Sequence, residues 1–110
     1  MQIEKTDLGD SVTRLKLAGR LDINGAAMVE IPISLAAKNC RRLLIDMSEV
    51  SYVSSLGVRH LVMAAKTLGR DGGKLVLFAV TEPVAEVLET MAITDIIPMA
   101  PSETAAIELA

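Results

Sequence analysis

The segment over residues 52–58, with the sequence Tyr-Val-Ser-Ser-Leu-Gly-Val, constrains the fold more than any other part of the chain. It follows the short apolar run at residues 43–45 and precedes a stretch in which apolar residues have helical spacing. This order predicts a strand, a tight loop and a helix whose first turn presents the hydroxyl groups of Ser54 and Ser55. A hydroxyl group there either caps the helix or marks a place where free backbone N–H groups and the helix dipole favour a phosphate.

The chain before this segment has the patterns of two strands and a helix. Ile3 belongs to a short strand, residues 7–10 form a turn, and residues 12–18 form a second strand in which Leu and basic residues alternate. A loop over residues 19–22 then leads to the helix, and Asn24 is its expected N-cap.

We expect this first helix to extend to Asn39 and to bury one apolar face. Pro32 conflicts with a straight helix, because its ring displaces a carbonyl group and its nitrogen has no hydrogen to donate. We therefore expect a kink or two short helices. The residues predicted to form the buried face are Met28, Ile31 and Leu35.

Strand and helix patterns alternate through the second half of the chain. Residues 43–47 have the continuous apolar character of a buried strand. A central helix is predicted over residues 55–68, with Gly69 just past its end, and residues 74–80 predict the next strand. The inward positions of the central helix are Leu56, Leu61, Val62, Ala65 and Leu68.

Two further helices complete the predicted architecture. Thr81 is expected to cap a helix with Pro83 in its first turn, residues 96–97 predict a short strand, and a last helix follows a Ser102 cap and ends at Leu109. This order predicts an α/β fold, a single-layer mixed β-sheet packed with α-helices. The apolar face of the helix after Thr81 consists of Val84, Val87, Leu88 and Met91.

Length and composition indicate a small domain with an aliphatic core. The 110 residues fall near the common domain size, so we expect one domain over residues 1–110. Hydrophobic residues make up 51% of the chain, but only one Phe and one Tyr are among them. The net charge of -3 and the shortage of aromatic residues argue against nucleic-acid binding, which needs a basic face and stacking platforms.

The cysteine content and the hydropathy bear on the location of the protein. Cys40 is the only cysteine, so it cannot form an internal disulfide, and a reducing cytoplasm fits. Arg41 and Arg42 beside it could lower the pKa of its thiol, although an inert thiol is the favoured interpretation. No apolar run approaches membrane-spanning length, and the opening Met-Gln-Ile-Glu-Lys is unlike a signal peptide. We expect a soluble cytoplasmic protein that does not insert into membranes.

The sequence offers little for catalysis or for metal binding. The only histidine, His60, lies five residues after Ser55 on the same predicted helix, so the two side chains point apart and cannot act as a catalytic pair. One His and one Cys do not make a metal site. Residues 69–74 have the composition of a phosphate loop but follow a helix and precede a strand, the reverse of the order in a P-loop. We expect no enzyme, no metal and no cofactor, and a surface position for His60.

Two carboxylates are candidates for a ligand site. Asp22 and Asp46 are predicted at the carboxyl ends of strands or just beyond them, where ligands gather in open α/β sheets. The alternative is that both side chains only form turns and caps. The residue pattern alone leaves these two interpretations open.

The order and spacing of these segments resemble the STAS-domain anti-sigma-factor antagonists over nearly the whole chain. Residues 19–22 match the family's Gly-x-Leu-Asp segment, residues 46–48 match its Asp-x-Ser segment, and residues 54–57 match its serine loop. In that loop the second residue is the serine that a partner kinase phosphorylates. The resemblance therefore implies Ser55 as the phosphate acceptor, with Ser54 as the alternative.

The resemblance also implies a function as a switchable binding partner. The dephosphorylated protein would bind an anti-sigma factor that is a GHKL-type serine kinase and so release the sigma factor, and a serine phosphatase would act on the phosphorylated form. Two residues depart from the family pattern, since Ser54 replaces a frequent Asp and Leu56 replaces a small residue. The residues expected to line the site or contact the partner are Asp22, Asn24, Asp46, Ser48, Ser54, Leu56, Gly57, Arg59, Met63 and Lys66.

One stripe on the central helix is the expected partner surface, although an ordinary solvated face also explains its three charges. Arg59, Met63, Lys66 and Arg70 recur at steps of four, three and four, so they share one face that begins just beyond Ser55. Met63 is an adaptable apolar side chain in a basic stripe, a type of residue that interfaces favour.

Two alternatives to a phosphorylation-switched function remain. One is a STAS interaction subunit of a lipid-transport ABC system or stress-sensing scaffold that needs no phosphate cycle, and the other is a nucleotide-binding module.

Overall fold

The computed structural model describes all 110 residues, which form five strands and four helices. The strands are β1 (Gln2–Gly9), β2 (Val12–Leu21), β3 (Arg42–Val53), β4 (Lys74–Phe78) and β5 (Met99–Ala100). The helices are α1 (Ile23–Asn39), α2 (Ser55–Arg70), α3 (Glu82–Thr90) and α4 (Glu103–Leu109), and a 3₁₀ turn covers Ile93–Asp95. None of the helices is both long and apolar enough to cross a membrane.

The five strands form one mixed sheet in the order β1-β2-β3-β4-β5. β1 pairs antiparallel with β2, and the other neighbouring pairs are parallel. The predicted α/β fold, a single-layer mixed sheet packed with helices, is therefore confirmed. Because β2 and β3 run in parallel, their carboxyl ends meet at one edge of the sheet, and the helices that follow both begin there.

The two faces of the sheet carry cores of unequal size. A cluster of 22 buried residues fills the space between one face and the helices α1, α2 and α3. A cluster of six buried residues on the other face includes Phe78 of β4 and Ala106 of α4. Phe78 is the only aromatic side chain in either cluster, so the core is aliphatic as the composition predicts.

The first helix begins earlier than predicted and is not broken. Its N-cap is Asp22, not Asn24, because the Asp22 carboxylate Oδ1 accepts a hydrogen bond from the backbone N–H of Gly25 at 2.9 Å. The helix continues through Pro32 for 17 residues. Val29 and Ile33 on either side of the proline are buried against the sheet, and this packing holds the helix together where one backbone hydrogen bond is missing.

The apolar face predicted to be buried on α1 faces outward. Met28, Ile31 and Leu35 are 54%, 67% and 53% exposed, so this prediction was wrong. The helix is apolar on two sides, and periodicity alone does not choose between them. The side with the smaller and β-branched residues packs against the sheet; it consists of Gly25, Ala26, Val29, Ile33, Ala36 and Ala37.

The third strand and the central helix differ from prediction in their bounds. β3 continues to Val53 rather than ending at residue 47, since register shifts opposite β2 allow it to bend and keep pairing. α2 ends at Arg70, and the left-handed position after it belongs to Gly72 (φ 75°) rather than Gly69. Leu61 and Leu68 face inward as predicted. The other inward positions belong to Gly57, Val58 and Ala64, while Leu56, Val62 and Ala65 are half-buried.

In the last third of the chain, one short strand lies later in the sequence than predicted. The predicted strand at residues 96–97 is replaced by the 3₁₀ turn Ile93–Asp95, and the short strand β5 follows it. Ile93 and Ile97 are buried and hold this turn on the core. Of the predicted face of α3, Val84 and Leu88 are buried, Val87 is half-buried and Met91 is 42% exposed. Ser102 caps α4 as predicted, accepting from the N–H of Ala105.

Candidate functional site

Two helices begin side by side at the carboxyl edge of β2 and β3. Leu21 and Val53, the last residues of these strands, are register partners. Asp22 caps α1 and Ser54 caps α2 immediately after them. The backbone N–H of Ser54 donates to the carbonyl oxygen of Leu21 at 2.8 Å, which ties the two helix starts together.

Glycines allow both helix starts to approach the strands closely. A Cβ atom on Gly57 would lie 2.6 Å from Cγ of Leu21, and a Cβ atom on Gly25 would overlap the carbonyl oxygen of Arg20. Any larger residue at either position would force the helix away from the strand end. The position of the serine loop is therefore fixed by the close contact of Gly57 with Leu21.

The two serines of the loop have different environments. Ser54 is half-buried and its Oγ accepts a hydrogen bond from the N–H of Gly57 at 3.2 Å, as an N-cap does. Ser55 is the first residue of α2; its side chain is exposed and makes no hydrogen bond. The capping role that the sequence left open for both serines therefore belongs to Ser54 and not to Ser55, and the Ser55 hydroxyl is free.

An open groove of about 690 Å³ lies over the two helix starts. It brings together five residues that the sequence singled out: Asp22, Asn24, Ser54, Ser55 and Leu56. Ile23, which is 71% exposed, adds an apolar wall. The groove therefore presents hydroxyl, amide, carboxylate and apolar groups around the free oxygen of Ser55.

Two groove residues, Arg20 and Tyr52, were missed by the sequence analysis. They are register partners on β2 and β3, and the Arg20 guanidinium lies 4.5 Å from the centre of the Tyr52 ring. Nε of Arg20 is 3.8 Å from Oδ2 of Asp22. Residues 19–22 had been noted as a segment, but the pairing with Tyr52 depends on the register shifts between the strands, for which the sequence has no signal.

Asp46 and Ser48 do not belong to this groove. Asp46 lies within β3, opposite Lys16 and Phe78, so the prediction that it ends a strand was wrong. Its Oδ1 accepts from the backbone N–H of Ser48 at 2.9 Å, a local contact at the point where the strand bends. Seven residues of strand lie between it and Ser54, which corresponds to a distance on the order of 25 Å.

The predicted stripe on α2 is exposed along its whole length. Arg59, Met63, Lys66 and Arg70 all lie on the surface, and Met63 is 53% exposed. Its first part borders a cleft between α1 and α2 that Glu30 and the half-buried His60 also line. The cleft and the groove meet at Leu56, which lines both.

The only cysteine lies far from this site and is not activated. Burial raises the pKa of the Cys40 thiol, so the hypothesis that its arginine neighbours lower it was wrong. The guanidinium of Arg41 instead donates to the carbonyl oxygen of Asp71 at 3.5 Å. No group of three or more His, Cys, Asp or Glu side chains is placed to hold a metal ion.

Comparison with known sequences gives two matches. Residues 4–106 match the family model described as STAS domain. The chain is also 36% identical over 87 residues to BtrV of Bordetella bronchiseptica, a protein named as an anti-sigma factor antagonist. That match covers 76% of this chain and 75% of BtrV.

Solved structures share the fold at low sequence identity. A Thermotoga maritima protein named as an anti-sigma factor antagonist has a TM-score of 0.88 at 20% identity, covering 97% of this chain and 92% of that chain. SpoIIAA in its unphosphorylated form has a TM-score of 0.83 at 18% identity, with coverage of 98% and 95%. The phosphorylated form of SpoIIAA from Bacillus has a TM-score of 0.75 at 16% identity, with coverage of 99% and 100%.

Proposed function

The chain belongs to the STAS-domain family and is related to its anti-sigma factor antagonists, and from this premise we propose that it is a binding module switched by phosphorylation of Ser55. Unphosphorylated, it binds an anti-sigma factor that is a GHKL-type serine kinase, and so frees the sigma factor. The kinase transfers the γ-phosphoryl group of ATP to Ser55 and the complex separates. A serine phosphatase returns the protein to its binding form.

The observation that carries this proposal is the free hydroxyl group of Ser55 at the mouth of the groove. Ser54 is the poorer acceptor, because its oxygen already accepts a hydrogen bond from the α2 backbone and its side chain is half-buried. Phosphorylation of Ser54 would esterify the oxygen that caps the helix. Phosphorylation of Ser55 changes only the surface.

The position of Ser55 explains how one phosphate can separate two proteins. The group adds roughly -1.5 to -2 charges and three acceptor oxygens. In the free protein these face water beside the unpaired N–H groups at the start of α2, which tolerate negative charge. In a complex that covers Ile23, Leu56 and Tyr52, the same charge would lose its water without gaining a partner, and binding would fail.

The outer face of α2 extends the proposed contact surface. Arg59 and Lys66 are exposed cations on a chain whose net charge is negative, so they would steer an acidic partner surface toward the groove. Met63 between them provides an apolar contact. The groove and this stripe form one continuous surface around Ser55.

Phosphopeptide mapping tests the proposal. The protein is incubated with ATP and its cognate anti-sigma kinase, with Ser55→Ala and Ser54→Ala as parallel variants. We expect phosphate on Ser55, none on Ser55→Ala, and continued modification of the folded fraction of Ser54→Ala. A protein that binds the kinase but accepts no phosphate would be a constitutive module. Nucleotide turnover by the chain alone would instead favour the nucleotide-binding alternative.

A phosphate mimic separates binding from folding. We expect Ser55→Asp to weaken kinase binding at least about tenfold. Its free energy of unfolding should stay within about 1 kcal/mol of the parent value, since acidic residues are favourable in the first turn of a helix. A variant that unfolds would show that Ser55 has a structural role.

A further inference from the structure

Arg20 is the only cationic side chain that lines the groove over the helix starts. It shares this groove with Ser55, and no other Arg or Lys contributes to the lining. Its position is set by β2, where it is the register partner of Tyr52 and directly precedes the last residue of the strand. The guanidinium therefore lies in the same open space as the free hydroxyl group.

The guanidinium is held by stacking rather than by hydrogen bonds. Its Cζ atom lies over the Tyr52 ring, 4.5 Å from the ring centre. Its one polar contact joins Nε to Oδ2 of Asp22 at 3.8 Å, too long for a hydrogen bond. The other oxygen of Asp22 accepts from the N–H of Gly25. The two terminal amino groups of Arg20 donate to no protein atom, and its side chain is 61% exposed.

Such a guanidinium matches the chemistry of a phosphoryl group. Its planar fork donates two parallel hydrogen bonds to phosphate oxygens, and a charge-assisted pair of this kind is stronger than one between neutral groups. A phosphoserine offers three acceptor oxygens and nearly two negative charges. Asp22 offers only one distant oxygen, so it is the weaker of the two anionic partners.

Resting on the proposed phosphorylation of Ser55, we propose that Arg20 is an intramolecular receptor for the phosphoryl group on Ser55. On phosphorylation the guanidinium exchanges its long contact with Asp22 for the phosphate, while one face stays on Tyr52. The phosphorylated chain then fills its own groove, so the partner meets a surface that is closed as well as charged.

Arg59 is the rival cation and provides the matched control. It lies four residues after Ser55 on α2, a spacing at which helix side chains can pair. However, Arg59 lines the cleft between α1 and α2, beside Glu30, and does not line the groove that contains Ser55. The two arginines are equal in charge and both exposed, so they differ mainly in their position relative to the groove.

The test uses the full chain with phosphoserine incorporated at position 55 during translation, so no kinase is needed. Phosphorus NMR follows the second ionisation of the phosphate in the parent, in Arg20→Gln and in Arg59→Gln. We expect the parent pKa to lie below the ordinary value of about 6 and to rise by about 0.5 to 1 in Arg20→Gln, with no change in Arg59→Gln. Equal pKa values in the parent and in Arg20→Gln overturn the proposal, and a rise confined to Arg59→Gln assigns the phosphate to the helix instead.

Tyrosine emission supplies a second readout. Tyr52 is the only tyrosine and the chain has no tryptophan, so intrinsic emission reports on the stacked pair alone. Emission should differ between the unmodified and phosphoserine forms of the parent, and this difference should be absent in Arg20→Gln. Arg20→Lys keeps the charge without the fork, so it should give an intermediate pKa. An unchanged emission in the parent would show that the phosphate does not reach the stacked pair and would contradict the proposal.

These results are independent of the kinase experiment. If no kinase modifies Ser55 but the phosphate pKa depends on Arg20, the proposed function fails and the receptor chemistry stands. If the kinase modifies Ser55 and the phosphate pKa does not depend on Arg20, the proposed function stands and the proposal that Arg20 is the receptor is wrong.

Discussion

At the scale of single residues, the two adjacent serines differ: Ser54 has a structural role and Ser55 is exposed. Ser54 satisfies a backbone N–H group at the start of α2, and Ser55 does not contact the rest of the protein through its hydroxyl group. The sequence alone shows two hydroxyls at a helix start and does not say which one caps it. The difference of one residue decides which substitution affects folding.

We expect Ser54→Ala to lower the free energy of unfolding by about 1 kcal/mol, as loss of an N-cap usually does. Ser55→Ala should change it by less than about 0.5 kcal/mol, because the lost hydroxyl has no partner. Urea denaturation of both variants measures the difference. Equal losses in the two variants would contradict the assignment of the cap.

Cys40 gives a prediction that depends on pH. Its thiol pKa is higher in the folded chain because burial disfavours the thiolate. The folded state therefore holds the proton more tightly; this group's contribution to stability is fully present below the ordinary thiol pKa of about 8.5 and is lost as the pH rises through the higher folded value. Alkylation at pH 8 should be several-fold slower in the native protein than in urea. Equal rates would show that the thiol is accessible and unshifted.

At the scale of elements, the start of α2 is fixed by a contact with β2. A side chain at Gly57 would collide with Leu21, whereas a Cβ atom at Gly69 in the same helix would meet no atom within 4 Å. These two glycines share a helix but not an environment. They form a matched pair for testing how tightly the serine loop is held.

We expect Gly57→Ala to lower the free energy of unfolding by about 1–3 kcal/mol through overpacking. Gly69→Ala should leave it unchanged or raise it by up to about 1 kcal/mol, since alanine favours helix and restricts the unfolded chain. Denaturant midpoints with unchanged slopes would establish both effects. A neutral Gly57→Ala would mean that the loop can shift, and the fixed geometry of the site would then be wrong.

A second pair of substitutions tests which apolar face of α1 is exposed. Ile31 is 67% exposed and Ile33 is 1% exposed, although they lie two residues apart. Ile31→Asp should change the free energy of unfolding by less than about 1 kcal/mol. Ile33→Asp should lower it by more than about 4 kcal/mol or prevent folding, because it buries a charge in an apolar core. Thermal unfolding that ranks the two variants in the opposite order would restore the original assignment of the faces.

At the scale of the whole molecule, local patterns predicted the elements well, and the errors in packing and pairing have one physical origin. The alternation of strands and helices follows from periodicity and capping residues, which are local. Which face of α1 is buried, where β3 ends and what Arg20 touches depend on packing and register between distant segments. No short stretch of sequence encodes these, so Met28, Asp46 and Tyr52 were misplaced or missed for the same reason.

Partner binding depends on the whole proposed contact surface, which includes the outer face of α2. We expect Met63→Glu to reduce affinity for the cognate anti-sigma kinase at least tenfold, or about 1.4 kcal/mol. Lys66→Glu should mainly slow association and weaken its dependence on salt. Lys38→Glu, an equal charge change near the far end of α1, is the control and should have little effect. Unchanged calorimetric affinities for folded Met63→Glu and Lys66→Glu would place the interface elsewhere.

The different roles of Ser54 and Ser55 also affect how such a protein can evolve. A mutation at position 54 acts on folding and is exposed to selection for a stable chain. A mutation at position 55 leaves the scaffold intact, since that side chain supports nothing around it. Under the switch that we propose, one codon change there would turn a regulated module into a permanent one without loss of stability. Regulation and architecture would then be inherited, lost or regained separately, although the two residues are neighbours in the chain.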